Sequence, residues 1–525
     1  MTDSCPQETA SSKLGIADEL RPWEEVSRDG RGPFVHTFRT RRHRYVYDVN
    51  TRRILRVSDT VWSVLDDYGC LSASQIAVKH ARTHGRREVD AALEQIAKAR
   101  QEGLLLSVRP KTVLPAGGKR VADRLAQQRE QLILNVTEDC NFRCAYCVFG
   151  GTYRHHRRHS PKAMSWVVAR PAIDEFLSHS GQSESRVISF YGGEPLLNLS
   201  LIRKCLAHVR QGQPDPEVRF AVTTNGSLLR GAVAEFLADE RFMIVVSLDG
   251  PKEIHDRHRR ARGGAATWDQ VVSNVRDLLT AYPEYRTNGR IRFNAVATPT
   301  TNLQEVQAFF SSFDLFTDAM GLELAGQKGT SESVRPDEPL AVSGGRLYED
   351  FIRALRDGTM AEKHTRRAKW VQTSAFQRPF SMFHKRGYLS PHLPERMVLL
   401  NTCIPGSRRT FVNADGNYFA CERVLESEAG RIGSVRTGVD AEKVVDLLDR
   451  WTRASRDQCR HCWCLPTCAV GCFASLDDDG TVTERAKRKA CAGCRRQTHQ
   501  LLTDYCEILE ENPKAFDYMS EINFM

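Results

Sequence analysis

Gln131-Leu-Ile-Leu-Asn-Val-Thr-Glu-Asp-Cys-Asn-Phe-Arg-Cys-Ala-Tyr-Cys147 joins an apolar, β-branched run to a loop that carries three cysteines. Residues 131–137 predict a buried parallel strand, because short apolar runs that end at a polar loop are typical of strands covered on both faces. The cysteines follow with the spacing C-x3-C-x2-C. Three thiols are therefore expected on one short loop at the carboxyl end of this strand.

Three thiols at this spacing suit an iron–sulfur cluster better than a zinc ion. A [4Fe-4S] cluster has four irons, so three cysteine ligands leave one iron open to a ligand that is not protein. A structural zinc knuckle is the competing interpretation, but such sites favour C-x2-C pairs and four protein ligands. The sequence offers no fourth ligand near this loop.

The cysteine motif resembles the signature of the radical SAM superfamily. In that superfamily S-adenosylmethionine chelates the open iron, and reduction cleaves this cofactor to a 5′-deoxyadenosyl radical. The resemblance implies two cofactors here, S-adenosylmethionine and a [4Fe-4S] cluster on Cys140, Cys144 and Cys147. It also implies a contact between Tyr146 and the adenine, for which a packing role is the alternative.

Strand and helix patterns alternate after the cysteine loop. The expected elements are strands at 186–190, 218–223, 242–247, 291–296 and near Leu322, and helices at 165–179, 200–210, 231–239, 267–281 and 302–312. Repeated βα units produce a parallel sheet with ligands at the carboxyl ends of its strands. The predicted fold class is therefore α/β, with a partial (β/α)6 radical SAM barrel over residues 131–325.

Polar motifs follow three of these strands, at Tyr191-Gly-Gly-Glu-Pro195, Thr223-Thr-Asn-Gly226 and Ser247-Leu-Asp-Gly250. Glycines at a strand exit let backbone approach a ligand closely, and small polar groups at the rim supply hydrogen bonds. By resemblance to the superfamily, the residues that contact S-adenosylmethionine are Gly192, Gly193, Glu194, Thr224, Asn225, Ser247, Asp249 and Arg259. Turn chemistry is the alternative role for each of them, and Arg257, Arg260 or Arg262 could replace Arg259.

Ten of the 16 cysteines lie between Cys403 and Cys506. Their spacing resembles the SPASM extension of radical SAM enzymes, which helps to hold two auxiliary [4Fe-4S] clusters, and we assign it to residues 401–510. By analogy the first auxiliary cluster takes Cys403, Cys421 and Cys472, and the second takes Cys459, Cys462, Cys468 and either Cys491 or Cys494. Zinc ribbons are the competing interpretation, because C-x2-C pairs also suit zinc.

The first auxiliary site departs from the family pattern. Relatives with a fully ligated cluster have an additional cysteine shortly before the first one, and the residues before Cys403 offer none. The fourth iron is expected to be open, or ligated by Cys464 or a histidine, and an open iron could bind a substrate thiolate. Glu422 lies where relatives that oxidise a peptide side chain use a carboxylate, so it is a candidate base. A surface salt bridge is its alternative role.

Residues 31–109 form an N-terminal unit with a winged-helix-like pattern. The expected elements are strands at 34–38, 44–48 and 53–57, followed by helices at 60–68, 72–83 and 87–102. The segment 45–57 resembles the peptide-recognition domain of peptide-modifying radical SAM enzymes, in which an exposed sheet edge captures a leader peptide by strand addition. A DNA-binding or purely structural winged helix is the alternative.

Composition limits the remaining possibilities. Sixteen cysteines without a secretory signal indicate metal binding in a reducing compartment rather than disulfides. The chain of 525 residues has no apolar run of membrane-spanning length, so we expect a cytoplasmic protein without membrane contact. The other predicted segments are a disordered start at 1–30, a linker at 110–130, a bridging region at 326–400 and a tail at 511–525.

The combined patterns predict a radical SAM peptide maturase with a leader-recognition domain and a SPASM domain. Its expected partners are a ribosomally made precursor peptide and a flavodoxin- or ferredoxin-like reductant, without nucleic acid. The favoured product is a cysteine thioether, of the sactipeptide or ranthipeptide type. Alternatives among enzymes are carbon–carbon or carbon–oxygen cross-linking and single-residue oxidation as in sulfatase maturation. An RNA-modifying radical SAM enzyme and a non-catalytic Fe–S regulator are the alternatives from other classes.

Overall fold

The computed structural model of this protein describes residues 32–151, 157–212, 218–317, 319–326, 345–360, 362, 376–385, 393–399, 403–468, 470–473 and 481–521. The predicted disordered start at 1–30 and part of the predicted bridging region 326–400 lie outside the described residues. Among the helices that are described, none is long and apolar enough to cross a membrane.

Strands of the described residues form three separate sheets. In chain order they are β1 (Val35–Arg39), β2 (Arg44–Asp48), β3 (Ile54–Val57), β4 (Thr112–Leu114), β5 (Gln131–Thr137), β6 (Val187–Gly192), β7 (Arg219–Thr224), β8 (Met243–Ser247), β9 (Ile291–Ala297), β10 (Gly321–Gly326), β11 (Arg396–Val398), β12 (Thr410–Val412), β13 (Asn417–Phe419), β14 (Arg431–Ser434) and β15 (Gly438–Val439). The largest sheet has the order β10-β9-β8-β7-β6-β5-β12-β13-β14-β15.

The strands β5 to β10 are parallel neighbours and form the partial barrel. In β5, Leu132 and Leu134 are fully buried in the main core, while Ile133 packs against Phe411 and Phe419 on the opposite face. Burial on both faces explains why this strand is apolar without alternation. The predicted fold class, α/β with a partial (β/α)6 barrel, is confirmed.

The helices between the barrel strands each bury one apolar face. In Trp268–Ala281, for example, Val271, Val275 and Leu278 recur at helical spacing and are buried. The described α-helices are Asp59–Val64, Ala73–His84, Arg86–Gln101, Gly118–Gln127, Trp166–Ser178, Leu199–Gly212, Ala232–Asp239, Lys252–His258, Trp268–Ala281, Leu303–Ser312, Arg346–Arg356, Arg378–His384, Ala441–Arg453, Arg456–Arg460 and Glu484–Glu511. The barrel helices that were predicted from this spacing are confirmed.

The cysteine-rich region continues the barrel sheet. Strand β12 pairs in parallel with β5, and β13, β14 and β15 extend the sheet in antiparallel pairs. The region therefore starts directly beside the strand that carries the first cysteine loop.

The N-terminal unit has its own small core. An antiparallel sheet of β1, β2 and β3 packs on three helices, and Val46, Val64, Ile76 and Val89 are fully or almost fully buried between them. The order of three strands followed by three helices confirms the winged-helix-like pattern. The domain boundaries stay a prediction.

One edge of this small sheet docks on the cysteine-rich region. The Tyr45 hydroxyl donates a hydrogen bond to Glu510 at 2.8 Å. The His36 ring of β1 stacks on Trp463 with ring centroids 3.6 Å apart. Strand β3 lies at the opposite edge, and within the described residues it pairs only with β2. The two edges of the sheet therefore have different surroundings.

The segment 110–130 is more ordered than a simple linker. Strand β4 pairs in parallel with β11, and the helix Gly118–Gln127 buries Val121 and Leu125. Pro115, Gly117 and Gly118 predicted a flexible connection. In the structure, the apolar residues of the helix that follows pack on the main core. The segment is thus part of the packed fold.

Candidate functional site

The cysteine loop is held in place by a neighbouring stretch of backbone. The amide of Arg143 donates to the carbonyl of Arg260 at 2.7 Å, and the amide of Ala145 donates to the carbonyl of His258 at 2.9 Å. These bonds form a short antiparallel contact between the loop and the residues that follow the helix Lys252–His258. Sequence patterns predicted only that this stretch supplies an arginine, because backbone pairing between loops leaves no residue signature.

The three thiols of this loop lie in an environment that suits a metal cluster. Burial raises the pKa of Cys140 to about 12 and that of Cys144 to about 11, and the thiols interact with one another. Metal coordination would hold such thiols in the deprotonated form. Backbone amides of Phe142 and Phe149 donate to the sulfurs of Cys140 and Cys147 at 3.3 and 3.4 Å. Hydrogen bonds to ligand sulfurs are a common feature of Fe–S sites.

The Gly-Gly-Glu motif packs directly against the cysteine loop. The amide of Gly193 donates to the Thr137 carbonyl at 2.8 Å. Gly192 has φ +145°, and a Cβ atom there would lie 2.2 Å from the Thr137 carbonyl oxygen. A Cβ atom at Gly193 would lie 2.2 Å from the carbonyl oxygen of Asp139. Both glycines are needed for this close approach to the loop, in addition to any approach to a ligand.

We expect Gly193→Ala to displace the cysteine loop and to destabilise the protein by about 2 kcal/mol, because the obstructing atom is backbone and cannot rotate away. Urea denaturation and iron content after reconstitution measure the two effects. Gly181→Ala is the matched control, since a Cβ atom there meets nothing within 4 Å. Equal iron content and stability in both variants would contradict this account.

Glu194 is a fully buried carboxylate that joins two rim motifs. It accepts hydrogen bonds from the Thr224 hydroxyl at 2.8 Å and from the Asn225 amide at 2.7 Å. Burial raises its pKa to about 7, although these hydrogen bonds oppose the shift. The Asn225 side chain in turn donates to Asn141 Oδ1 at 2.9 Å. Glu194, Thr224 and Asn225 therefore connect the rim to the cysteine loop, and their predicted contacts with S-adenosylmethionine stay predictions.

Tyr146, Asp249 and Arg259 form a buried group beside the thiols. Arg259 Nε lies 3.0 Å from Asp249 Oδ2, and the Tyr146 hydroxyl donates to the same carboxylate. The Arg259 guanidinium lies 5.3 Å from the Tyr146 ring centroid. Burial opposes the charge of Arg259, but Asp249, Tyr146 and Cys144 together outweigh burial and raise the Arg259 pKa. The structure thus brings together three of the predicted site residues.

Ser247 ends β8 beside residues that the sequence motifs did not single out. Its register partner is Asn294 of β9, whose Oδ1 is buried without a hydrogen-bond partner among the described residues. Asn135 of β5 pairs in register with Tyr191, and neither polar atom of its buried amide has a partner in the described part of the chain. Buried unpaired amides are uncommon. The sequence contained one signal for such a residue, because Asn135 interrupts the apolar run of the strand 131–137 with an amide side chain.

Cys403, Cys421 and Cys472 come together in the C-terminal region. The amide of Cys403 donates to the Gly471 carbonyl at 3.3 Å, which places it beside Cys472. Desolvation raises the pKa of Cys421 to about 11, and Glu422 and Cys472 contribute to this shift. Cys472 therefore interacts with both Cys403 and Cys421, although no three ligand side chains among the described residues are arranged to hold a single metal ion.

Glu422 lies at the corner of this first thiol group. Its Oε1 accepts a hydrogen bond from Arg409 at 2.7 Å, while its Oε2 is buried without a partner among the described residues. Burial raises the pKa of Tyr191 to about 12, and Glu422 and Cys147 both contribute to this shift. Tyr191 therefore lies within electrostatic range of both Cys147 and Glu422.

The second thiol group is larger than predicted. A hydrogen bond from Cys464, with a contribution from Arg495, lowers the pKa of Cys462 to about 7. Cys464 also contacts Cys494, which contacts Cys468 as well. The thiols of this group are Cys459, Cys462, Cys464, Cys468, Cys491 and Cys494. Cys464 is thus placed with the second group, away from the first, to which it was a possible ligand.

The sequence profile of the Radical SAM superfamily matches residues 134–312, from β5 to the helix Leu303–Ser312. This range contains the cysteine loop and the three rim motifs. Residues 134–312 form a radical SAM domain. A radical SAM domain implies a [4Fe-4S] cluster and S-adenosylmethionine, and the buried thiol loop with its amide donors fits that cluster. The auxiliary clusters and the roles of the individual residues stay predictions.

Curated proteins that are similar to this chain include sulfatase-maturating enzymes. The chain is 21% identical to the cysteine-type anaerobic sulfatase-maturating enzyme of Clostridium novyi over 347 residues, which cover 65% of this chain and 87% of that enzyme. It is 24% identical to the radical SAM cyclopropyl synthase TigE of Paramaledivibacter caminithermalis over 35% of this chain and 39% of that enzyme. An uncharacterized protein of Methanocaldococcus jannaschii is 33% identical over 26% of this chain and 43% of its own length.

A solved structure of native anSMEcpe with bound AdoMet and Cp18Cys peptide has a similar fold. Its TM-score is 0.51 at 18% sequence identity, and the match covers 75% of this chain and 99% of that chain. At this identity the likeness concerns the fold alone. The chain is thus homologous to an anaerobic sulfatase-maturating enzyme by sequence and similar to anSMEcpe in fold.

Proposed function

We propose that this protein is a radical SAM peptide maturase that joins a cysteine sulfur of a ribosomally made precursor to a carbon atom of another residue. The observation that carries this proposal is the distribution of the C-terminal thiols. Three lie in the first group and six in the second, where Cys464 contacts Cys462 and Cys494. An auxiliary cluster on the first group would keep one iron for an outside ligand, and a peptide thiolate is a suitable one.

The cofactors supply the radical chemistry. When bound, the reduced cluster and S-adenosylmethionine provide a 5′-deoxyadenosyl radical that takes one hydrogen atom from the peptide carbon. Formation of the carbon–sulfur bond then releases the thiol proton and one electron. A flavodoxin- or ferredoxin-like reductant would supply one electron, and an auxiliary cluster held by the C-terminal thiols would accept one, so the peptide would lose two hydrogens in total. This chemistry requires a reducing compartment, consistent with a cytoplasmic protein.

Residues of the chain have distinct roles in this proposal. Cys140, Cys144 and Cys147 would hold the radical SAM cluster, and the rim residues around Glu194 and Asp249 would orient the cofactor. Glu422 would accept the proton of the peptide thiol, because its Oε2 is buried and has no hydrogen-bond partner within the described residues. Arg409 holds the other carboxylate oxygen and so fixes its direction.

Oxidation of a single residue is the second candidate function. The sulfatase-maturating relatives favour it, and the solved structure that contains the Cp18Cys peptide supports a peptide substrate for either function. The N-terminal unit favours precursor maturation, because it supplies a separate edge for leader recognition by strand addition. Strand β1 is docked through His36 and Trp463, which leaves β3 as the edge for the leader.

Hydrogen exchange tests this leader site. We expect a precursor peptide to slow the exchange of backbone amides in β3, because strand addition gives them hydrogen-bond partners. Amides of β1 serve as the internal control and should not change, since that edge already packs on the C-terminal region. Leader capture at this edge would be contradicted if hydrogen exchange slowed equally in β1 and β3, or if it did not slow in β3.

A direct assay tests the reaction. The reconstituted protein is incubated with S-adenosylmethionine, reductant and a synthetic cysteine-containing precursor peptide, and the product is analysed by mass spectrometry. We expect the loss of two hydrogens for each cross-link and the loss of one alkylatable thiol. Cys403→Ala should prevent the cross-link and retain 5′-deoxyadenosine formation, whereas Cys70→Ala, an exposed thiol outside the groups, should behave as wild type. A modified peptide whose cysteines all remain alkylatable would exclude a thioether.

A further inference from the structure

Two buried cations lie beside the second thiol group. Lys487 and Arg495 are 2% and 5% exposed, and both belong to the helix Glu484–Glu511. The same helix carries Cys491 and Cys494, so the two cations lie on either side of these thiols along the chain. Lys487 interacts with Cys459, Cys468 and Cys491, and Arg495 contacts Cys462. The helix therefore presents positive charge to the thiols that face it.

No carboxylate balances these charges within the described residues. The Lys487 ammonium donates to the Trp451 carbonyl and lies 4.7 Å from the Trp451 ring centroid. Arg495 Nε and Nη1 are buried without hydrogen-bond partners in the described part of the chain. Burying a cation without an anion is costly, so such pairs persist where a negative group is present. A [4Fe-4S] cluster with four cysteine ligands is negatively charged and would supply that group.

We propose that Lys487 and Arg495 are positioning residues that neutralise the second auxiliary cluster and raise its reduction potential. The inference rests on the proposed function, because it takes the second thiol group as a cluster site. Reduction adds a negative charge to the cluster, and nearby buried cations stabilise the reduced form more than the oxidised form. A higher potential makes this cluster the better acceptor for the electron that leaves the substrate.

Redox titration followed by electron paramagnetic resonance tests this role. In reconstituted Lys487→Met and Arg495→Met we expect one auxiliary cluster to titrate at a lower potential than in wild type, with unchanged iron and sulfide content. Lys489→Met and Arg496→Met are matched controls, because both side chains are exposed on the same helix, and they should titrate as wild type. Arg495→Lys keeps the positive charge, so the reduction potential of the cluster in this variant should be close to that of wild type and above that of Arg495→Met.

A second measurement does not depend on electron transfer. Cluster loading should raise the thermal unfolding midpoint less in Lys487→Met than in wild type, because the variant lacks the cation that the cluster compensates. Variants with full iron content and wild-type potentials would overturn the charge assignment while leaving the proposed function intact. Wild-type protein that holds no cluster at the second thiol group, with unchanged iron content in Cys462→Ala, would overturn the proposed auxiliary site itself.

Discussion

Replacement of Cys144 by alanine is expected to abolish the cleavage of S-adenosylmethionine. Cys144 is the central thiol of the loop, and it interacts electrostatically with both Cys140 and Cys147. Two thiols cannot hold the cluster in place of three, and without the cluster no electron reaches the cofactor. The readout is 5′-deoxyadenosine measured after reduction of the reconstituted protein without peptide. We expect the amount formed to fall to the background of a reaction without protein.

The control for this prediction separates the cluster from general thiol chemistry. Cys70→Ala removes an exposed thiol of the N-terminal unit and should form 5′-deoxyadenosine at the wild-type rate. Iron analysis of Cys144→Ala should show the loss of one cluster, with the auxiliary clusters retained. A Cys144→Ala protein that still cleaves the cofactor at the wild-type rate would remove the basis for assigning radical chemistry to this loop.

Asp249→Asn is expected to lower the free energy of unfolding by about 4 kcal/mol, because it leaves a buried guanidinium without its counter-ion. Asp249 is 1% exposed and Arg259 is 6% exposed. The amide of the new asparagine can still accept the hydrogen bond from the Val296 amide. The decrease in the free energy of unfolding therefore measures the loss of the negative charge rather than a change in side-chain shape. Urea denaturation of the metal-free protein, followed by tryptophan fluorescence, measures the change in midpoint.

An exposed ion pair provides the comparison for Asp249. Arg86 and Asp90 pair at 2.9 Å one helical turn apart, and both side chains are about half exposed. Asp90→Asn should change the free energy of unfolding by less than about 0.5 kcal/mol, because solvent screens the pair. Similar losses in both variants would mean that burial does not strengthen the Asp249–Arg259 interaction. Arg259→Gln should reproduce the loss seen in Asp249→Asn, since it leaves the carboxylate unpaired instead.

The fold and the order of the rim motifs were predictable because their signals are local. Strand β5 is a short apolar run, and the helix Trp268–Ala281 repeats its apolar residues every three or four positions. The C-x3-C-x2-C spacing identifies the loop before any contact is known. Glu194 and Asp249 were also located by their position after strands. The hydrogen-bond partners of these two residues could not be predicted, because they depend on which loops meet at the rim of the barrel.

Contacts between distant segments account for what the sequence did not reveal. The pairing of the cysteine loop with His258–Arg262 uses backbone groups, which every residue carries. Cys464 had no position in the family spacing, and only the packing of Glu484–Glu511 against its loop assigns it to the second group. The helix Gly118–Gln127 was obscured by the glycines before it, although its buried face is regular.

If the N-terminal unit captures a leader peptide and the second thiol group binds a cluster, as proposed above, the stack of His36 on Trp463 would connect the two sites. Trp463 lies between Cys462 and Cys464, so a change in the position of either thiol reaches the sheet of the N-terminal unit through a single ring contact. Strand β1 rests on that ring, and β3 belongs to the same three-stranded sheet. Loading of a cluster at the second thiol group is therefore expected to alter the packing of this sheet on the C-terminal region.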